Sequence, residues 1–270
     1  MRRSTALRRW SFHKSTKIEK TSKKLSKAKK LLLSIMYHHV GSDKYSNDLA
    51  VFEKHLAHIK EHFVSVLPSE EKLAKNSICL TFDDGYADFY FRVFPLLQKY
   101  ELKALLGVCT KYILDECTLE ADKRMGFMHD EAFANYKNGA FCTYEELKEM
   151  RQSTLVEVAS HSHSHIDLTK DEVDLELELK HSKELLEQNL EYRCDSFIFP
   201  FGKYNNSVIL EAKKHYKYLF RIGNGLQGDF SGIDGLIYRI NGDSLGSKDA
   251  IFKPSKMLKY HLKSTIKRIF

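Results

Sequence analysis

The stretch ICLTFDDGY, Ile78 to Tyr86, decides the reading of the fold. Ile78, Leu80 and Phe82 make a short apolar run that predicts a buried strand, and Asp83, Asp84 and Gly85 follow where that strand stops and its loop begins. In α/β folds that edge, outside the C-terminal ends of parallel strands, is where sites gather. Asp-Asp-Gly alone is also ordinary turn and helix-capping chemistry. A second stretch weakens the ordinary explanation. VASHSHSHIDL, Val158 to Leu168, sets His161, His163 and His165 at alternate positions in a chain with 13 histidines. On a strand all three share a face; on a helix only His161 and His165, four apart, meet. Solvated histidine-rich stretches are common, but a histidine pair at the end of one strand beside a carboxylate pair at the end of another is a constellation with chemistry in it.

Working outward, short apolar or β-branched runs recur at 31–37, 63–67, 77–82, 103–109, 155–159, 195–199 and 235–240. Helical periodicity recurs at 49–62, 87–100, 143–152, 171–191 and 205–217. Such alternation predicts βα units around a parallel sheet. With 270 residues and 43% hydrophobic content, the chain can bury a full core as one α/β domain. Between 113 and 142 the pattern breaks, and this segment is expected to be an insertion that lines or covers a site.

The five cysteines, Cys79, Cys109, Cys117, Cys142 and Cys194, are odd in number and scattered without a CxxC pair. Neither a disulfide framework nor a thiolate zinc site is expected, and a reducing, cytoplasmic location fits best. The apolar run Leu31 to Met36 is too short for an export signal, and no stretch is long enough to span a bilayer. The net charge of +7 is uneven: residues 1–30 hold 12 Lys/Arg against one acid, residues 251–270 hold 6 against none, and the remainder holds 25 against 35. An acidic body with basic ends argues against nucleic acid as a partner, because a binding domain lines a folded face with its basic residues. The chain thus divides into a basic N-terminal extension (1–30), an α/β domain (31–250) and a basic amphipathic C-terminal helix (251–270). In that helix Leu258, Leu262, Ile266 and Ile269 share one face and Lys256, Lys259, Lys263 and Lys267 lie away from it. The stripe is expected to pack on the domain; the other reading is peripheral contact with an anionic membrane surface at its inner face.

TFDDGY, Thr81 to Tyr86, and SHSHSH, Ser160 to His165, resemble the first two motifs of the polysaccharide deacetylases, the NodB-homology carbohydrate esterases. The second of those motifs reads His-Ser/Thr-x-x-His, which makes His161 and His165 the matching pair and His163 a spacer. LLLSIMYHHV, from Leu31, and FIFPFGKYN, Phe197 to Asn205, resemble the poly-N-acetylglucosamine deacetylase branch, and the likeness runs over residues 31 to 240. The resemblance implies a distorted (β/α) barrel and a hydrolase that removes the N-acetyl group of an acetamido sugar in a glycan or glycoconjugate, releasing acetate. A same-fold hydrolase of a non-sugar amide and an inactive, metal-stabilised glycan-binding protein are the alternatives, and an intact Asp83 speaks against the inactive form.

On that resemblance Asp84, His161 and His165 hold a divalent metal. A His₂-carboxylate set leaves open positions for water and a carbonyl, as catalytic zinc requires, and also suits cobalt, nickel, manganese or iron. Asp83 is then free as general base, since coordination lowers the pKa of water to about 7. The family's pattern assigns the oxyanion donor to the backbone N–H of Phe201, after Pro200. Two departures stand out: the third motif's arginine position holds Ile198, and the Asp-Trp of the fourth is absent, the only tryptophan being Trp10. Arg239, in LIYRIN, is a candidate to replace that arginine beside Asp83, with a plain structural arginine as the equal alternative. The proton for the leaving amine is expected from His38, directly after Tyr37, as in a permuted branch of the family. Strand alternation turns His39 to the opposite side, and His261, between Lys259 and Lys263, is expected on the surface.

Overall fold

A computed structural model describes residues 30–70, 73–74 and 76–269. The basic extension expected over 1–30 lies outside the described residues, Lys30 excepted. In chain order the strands are β1 (Leu31–Tyr37), β2 (His39–Val40), β3 (Ser46–Asn47), β4 (Val64–Ser65), β5 (Asn76–Phe82), β6 (Ala104–Val108), β7 (Val156–Ser160), β8 (Ser196–Ile198), β9 (Tyr218–Ile222) and β10 (Ile237–Asn241). Seven of them, β1 and β5 to β10, close into a parallel barrel in the order β1-β10-β9-β8-β7-β6-β5, shut by the pairing of β1 with β5 from Leu31↔Asn76 to Tyr37↔Phe82. β4 adds onto the first half of β5. β2 and β3 form a separate pair above the end of β1.

The barrel explains why these runs are apolar almost throughout. A strand of a closed parallel barrel has helices on one face and the interior on the other, so β1 and β5 are each buried at six consecutive positions. The interior cluster takes one residue from every barrel strand: Leu32, Cys79, Leu105, Ala159, Ile198, Phe220 and Ile237. Small Cys79 and Ala159 alternate with larger neighbours, so the layers fill the bore. Ile78, Leu80 and Phe82 belong to the larger outer cluster against the helices. The inward side of β5 is therefore Cys79, Thr81 and then Asp83, by the period of two.

The helices are stopped and started by side chains that the sequence displays. Asp48 caps α1 (Leu49–His62), accepting from Val51 N, and this helix buries Phe52, His55, Leu56 and Ile59. After a wide π-helical turn at Phe89–Val93 comes α2 (Phe94–Tyr100). The 113–142 segment holds two one-turn helices, α3 (Ala121–Arg124) and α4 (His129–Ala132), and α5 (Tyr144–Gln152) opens with a Thr143/Glu146 capping box. The helix expected at 171–191 begins only at Glu176 as a π-helical turn, continuing as α6 (Ser182–Leu190); Asn205 caps α7 (Asn206–His215).

Two expectations are corrected. β9, YLFRI, was not anticipated: it follows directly on the basic end of α7, and Arg221 gives it a polar look. In the structure Arg221 lies over the rings of Tyr204 and Tyr238, so the charge rides on aromatic surface beside the strand. The second concerns the last helix, α8 (Pro254–Lys267), whose apolar stripe does not pack on the barrel. Leu258, Leu262, Ile266 and Ile269 are 60%, 56%, 56% and 68% exposed. The helix docks by its other side, burying Tyr260 and Ser264. Ser264 Oγ accepts from Leu226 N at 2.6 Å and donates to the Tyr260 carbonyl at 2.8 Å, and this polar anchor selects the docked face. No described helix is long and apolar enough to cross a membrane.

Candidate active site

Parity brings the site together. His38 lies six residues beyond Leu32, Asp83 four beyond Cys79, His161 two beyond Ala159 and Arg239 two beyond Ile237. Even steps from interior residues point all four inward at or near the C-terminal ends of β1, β5, β7 and β10. Asp84, one step out of this register, is swung back by backbone conformation, with φ of 70° at Asp84 and 79° at Gly85. Aspartate tolerates the left-handed region, whereas Gly85 is required for a second reason: a Cβ there would stand 2.7 Å from Val108 Cγ1.

Asp84 Oδ1 lies 3.3 Å from His161 Nε2 and 3.2 Å from His165 Nε2. His161 Nδ1 is 2.8 Å from the Ile198 carbonyl, which can only accept, so Nδ1 carries a proton and Nε2 is the atom turned toward Asp84. Burial lowers the pKa of His165 to about 4, against the pull of the Asp84 charge, so this ring is neutral at neutral pH. Asp84 Oδ1 is buried and has no hydrogen-bond partner among the described residues. Three donor atoms held this close together at this depth need a positive charge, a proton or a metal ion, between them. The separations also approach the edge of a tetrahedron with ligand bonds of about 2.1 Å, which is ~3.4 Å. The trio fits a divalent metal. A second trio, His58, Glu61 and His62, also brings its donor atoms close, but on the outer surface of α1, where the His62 Nδ1 is engaged by the His58 carbonyl.

The serines of SHSHSH hold this loop in place. Ser162 Oγ accepts from His165 N at 3.0 Å, Ser160 Oγ bonds Ser182 Oγ at 2.8 Å, and Glu178 accepts from both the backbone N and the hydroxyl of Ser164. His163 points elsewhere, its Nδ1 2.9 Å from Thr110 Oγ1.

Beside the trio, Asp83 is gripped by Arg239, Nη1 on Oδ1 and Nη2 on Oδ2 at 2.9 Å, while Nη1 also reaches Thr81 Oγ1 at 3.1 Å. Burial pushes the Asp83 pKa up, but the Arg239 guanidinium and its hydrogen bonds to the carboxylate, with His38 beside it, more than offset it, and the net shift is downward. Asp83 stands as an ionised carboxylate. His38 Nε2 lies 3.9 Å from Asp83 Oδ2, across the mouth. Its Nδ1 is 2.8 Å from Asp243 Oδ2 and its backbone N donates to Asp243 Oδ1 at 3.0 Å. Burial opposes its charge, yet the Asp243 bond and the Asp83, Asp243 and Asp84 carboxylates prevail and bring the pKa up to about 9. His39 faces away: its Nδ1 is 3.2 Å from Asp88 Oδ1 and its ring stacks on Tyr86.

Pro200 is buried at the first position of a 3-10 turn, and Phe201 follows with φ of 56° and an exposed side chain whose ring lies 4.7 Å from that of His165. The 113–142 segment does line the site. Phe133 stacks nearly parallel on His165, 5.0 Å between ring centres, and His129 Nδ1 lies 3.1 Å from Tyr86 Oη. His261 is exposed on α8.

Sequence reasoning missed Asp243, Glu178 and Phe133. Asp243 sits in an Asn-Gly-Asp turn after β10, which by itself signals only a turn. Its partner is 205 residues away in the chain.

A family model described as polysaccharide deacetylase matches residues 70–219. Over 200 residues the chain is 28% identical to the poly-beta-1,6-N-acetyl-D-glucosamine N-deacetylase of Escherichia coli, an alignment that covers 63% of this chain. It spans only 28% of the length of that curated relative. A solved polysaccharide deacetylase from Bacillus cereus superposes with a TM-score of 0.66 at 22% identity, covering 83% of this chain and 68% of its own. A Streptococcus pyogenes deacetylase, solved in complex with acetate, superposes with a TM-score of 0.64 at 24% identity, covering 85% and 97%. At these identities the structural likeness speaks for the fold, a (β/α) barrel of the NodB type.

Proposed function

The chain belongs to the polysaccharide deacetylase family, and from that premise we propose that it is a metal-dependent hydrolase that removes the N-acetyl group of an acetamido sugar in a glycan or glycoconjugate, releasing acetate and leaving a free amine. One observation carries the reading: three cation-ready donors, Asp84, His161 and His165, share a barrel mouth with an ionised carboxylate on one side and an imidazole of raised pKa on the other.

A divalent cation held by Asp84, His161 and His165, zinc by preference for this donor set, supplies Lewis-acid polarisation of the acetyl carbonyl and lowers the pKa of water to about 7. The chain's own residues do the rest. Asp83, kept ionised and oriented by Arg239, takes the proton of the attacking water. The Phe201 N–H, presented by the Pro200 turn, donates to the oxygen that gains charge. His38, aligned by Asp243, gives its Nε2 proton to the amine nitrogen as the C–N bond breaks. A glycan-binding protein would have no use for an ionised base gripped beside its metal.

The proposal extends to a peripheral contact with anionic membrane, supported by the exposed Leu258, Leu262, Ile266 and Ile269 ridge on a segment, 251–270, that holds 6 Lys/Arg and no acid. Metal analysis combined with acetate release from a panel of N-acetylated glycans tests the function. Acetate release that chelation stops and added zinc restores is expected. A metal-loaded protein that releases no acetate from any member of the panel refutes it.

A further inference from the structure

Behind the His38–Asp243 pair the barrel mouth opens into a cavity of about 440 Å³ between the loops that follow β9 and β10 and the helix α8. Lys253, Lys256, Lys259 and Lys263 line it, together with the amides of Asn224 and Asn241. Among the described residues Asp243 is the single carboxylate in its wall, and both of its oxygens are already engaged by His38, at 3.0 and 2.8 Å. The lysines that do pair with carboxylates among the described residues are others: Lys44, Lys60, Lys99, Lys103, Lys180, Lys183, Lys203 and Lys214. Four lysines, three or four residues apart along one helical edge, therefore line one cavity, and none of them forms an ion pair with a carboxylate among the described residues. Like charges at those spacings destabilise a helix, and a solvated basic face gains nothing from converging on a concave wall. The contrast is sharper because the domain around them is acidic, 25 bases against 35 acids over residues 31–250.

We propose that this cavity is a subsite for a phosphate monoester group carried by the substrate close to the acetamido sugar. The inference rests on the deacetylase reading and narrows its substrate to a phosphate-bearing glycoconjugate. Phosphate rather than carboxylate follows from the donors. Several compact ammonium groups suit a multiply charged tetrahedral oxyanion, whereas a planar carboxylate is best matched by an arginine fork, and no arginine among the described residues lines the wall. Asp243 sets the position: it borders the cavity on one side and holds His38 on the other, so an anion seated here lies next to the reacting end of the site.

Binding of inorganic pyrophosphate to the full chain, followed by calorimetry, tests the subsite without catalysis. Lys256→Gln/Lys259→Gln should weaken it by about tenfold or more, with a smaller salt dependence, as loss of charged contacts requires. His161→Ala, which lacks the metal, should bind pyrophosphate as the parent does. Loss of binding in His161→Ala with retention in the lysine variant overturns the proposal, because the metal would then be the anion site. In acetate release, the lysine variant should raise KM about tenfold for a phosphorylated N-acetylated oligosaccharide while leaving its neutral counterpart unchanged. Equal effects on both, or none on either, also overturn it. Phosphatidylglycerol vesicles distinguish a lipid headgroup from a substrate phosphate: if the lysine variant loses vesicle binding alone, the cluster serves the membrane and the subsite is refuted. Absence of acetate release from every sugar would sink the deacetylase reading, leaving the calorimetric result to decide the anion site by itself.

Discussion

Asp243→Asn isolates what the buried carboxylate does for His38. The substitution keeps the size of the side chain and an oxygen near Nδ1, but removes one negative charge, weakens a charge-assisted hydrogen bond now 2.8 Å long and gives up the bond from the His38 backbone N. Hydrogen bonds to charged groups contribute about 1.5–3 kcal/mol, and one pKa unit corresponds to about 1.4 kcal/mol, so the His38 pKa should fall by about one to two units. The direction matters for activity. A general acid works protonated, so turnover holds below its pKa and is lost as pH rises through it. His38 is raised to about 9 by Asp243, Asp83 and Asp84 against the opposing effect of burial. Lowering that pKa brings the alkaline loss to lower pH. A dication on Asp84 pulls the same pKa down in parent and variant alike, so the comparison is made between proteins with equal bound metal. Acetate release measured from pH 6 to 10 should show the alkaline limb of kcat moved down by about one to two pH units, with the activity on the acid side nearly intact. His38→Ala should abolish the limb and cost about 10²- to 10⁴-fold in kcat while metal content stays stoichiometric. An alkaline limb that stays in place in Asp243→Asn, or that survives in His38→Ala, would assign it to another group and end the argument for His38 as the acid.

Asp83→Asn should retain its metal yet lose about 10²-fold or more in turnover, whereas Asp84→Ala, His161→Ala and His165→Ala should lose metal and activity together and His163→Ala neither; metal analysis beside acetate release checks the register. Arg239→Met leaves Asp83 buried without its partner, which should destabilise the fold by about 3–5 kcal/mol in urea unfolding. Because the Asp83 pKa then rises and a base acts ionised, the acid limb of surviving activity should move to higher pH; an unmoved limb would separate Arg239 from the base. The exposed ridge on α8 should make the protein sediment with anionic vesicles at low salt and come off as salt rises, and Leu258→Ser/Leu262→Ser should reduce it; equal binding to neutral vesicles would remove the electrostatic part.

The alternation of β1, β5, β6, β7, β8 and β10 with helices was legible because each strand of a closed parallel barrel is buried on both faces and so writes an apolar run into the chain. Asp83 and Asp84, and His161 with His165, were legible for the same reason: they stand at or just past the ends of such runs, and their spacing follows local backbone period and turn chemistry. β9 was not, because a five-residue strand carrying Arg221 reads as polar until Tyr204 and Tyr238 are placed beneath the charge. The docked face of α8 was misjudged for a related cause. A helical wheel ranks faces by hydrophobicity, but the helix is held by Tyr260 and Ser264, whose value depends on the Leu226 amide waiting opposite.

The pairings that would make the site work lie beyond any local signal. Arg239 and Asp83 are 156 residues apart and His38 and Asp243 are 205 apart. Residue type and strand parity determined that each of the barrel-strand members could face inward. Which ones meet was decided when β1 closed between β5 and β10, because only closure brings the ends of the first, second and last long strands of the domain into one low-dielectric mouth, where an unpaired charge is costly and a paired one is held in a single geometry.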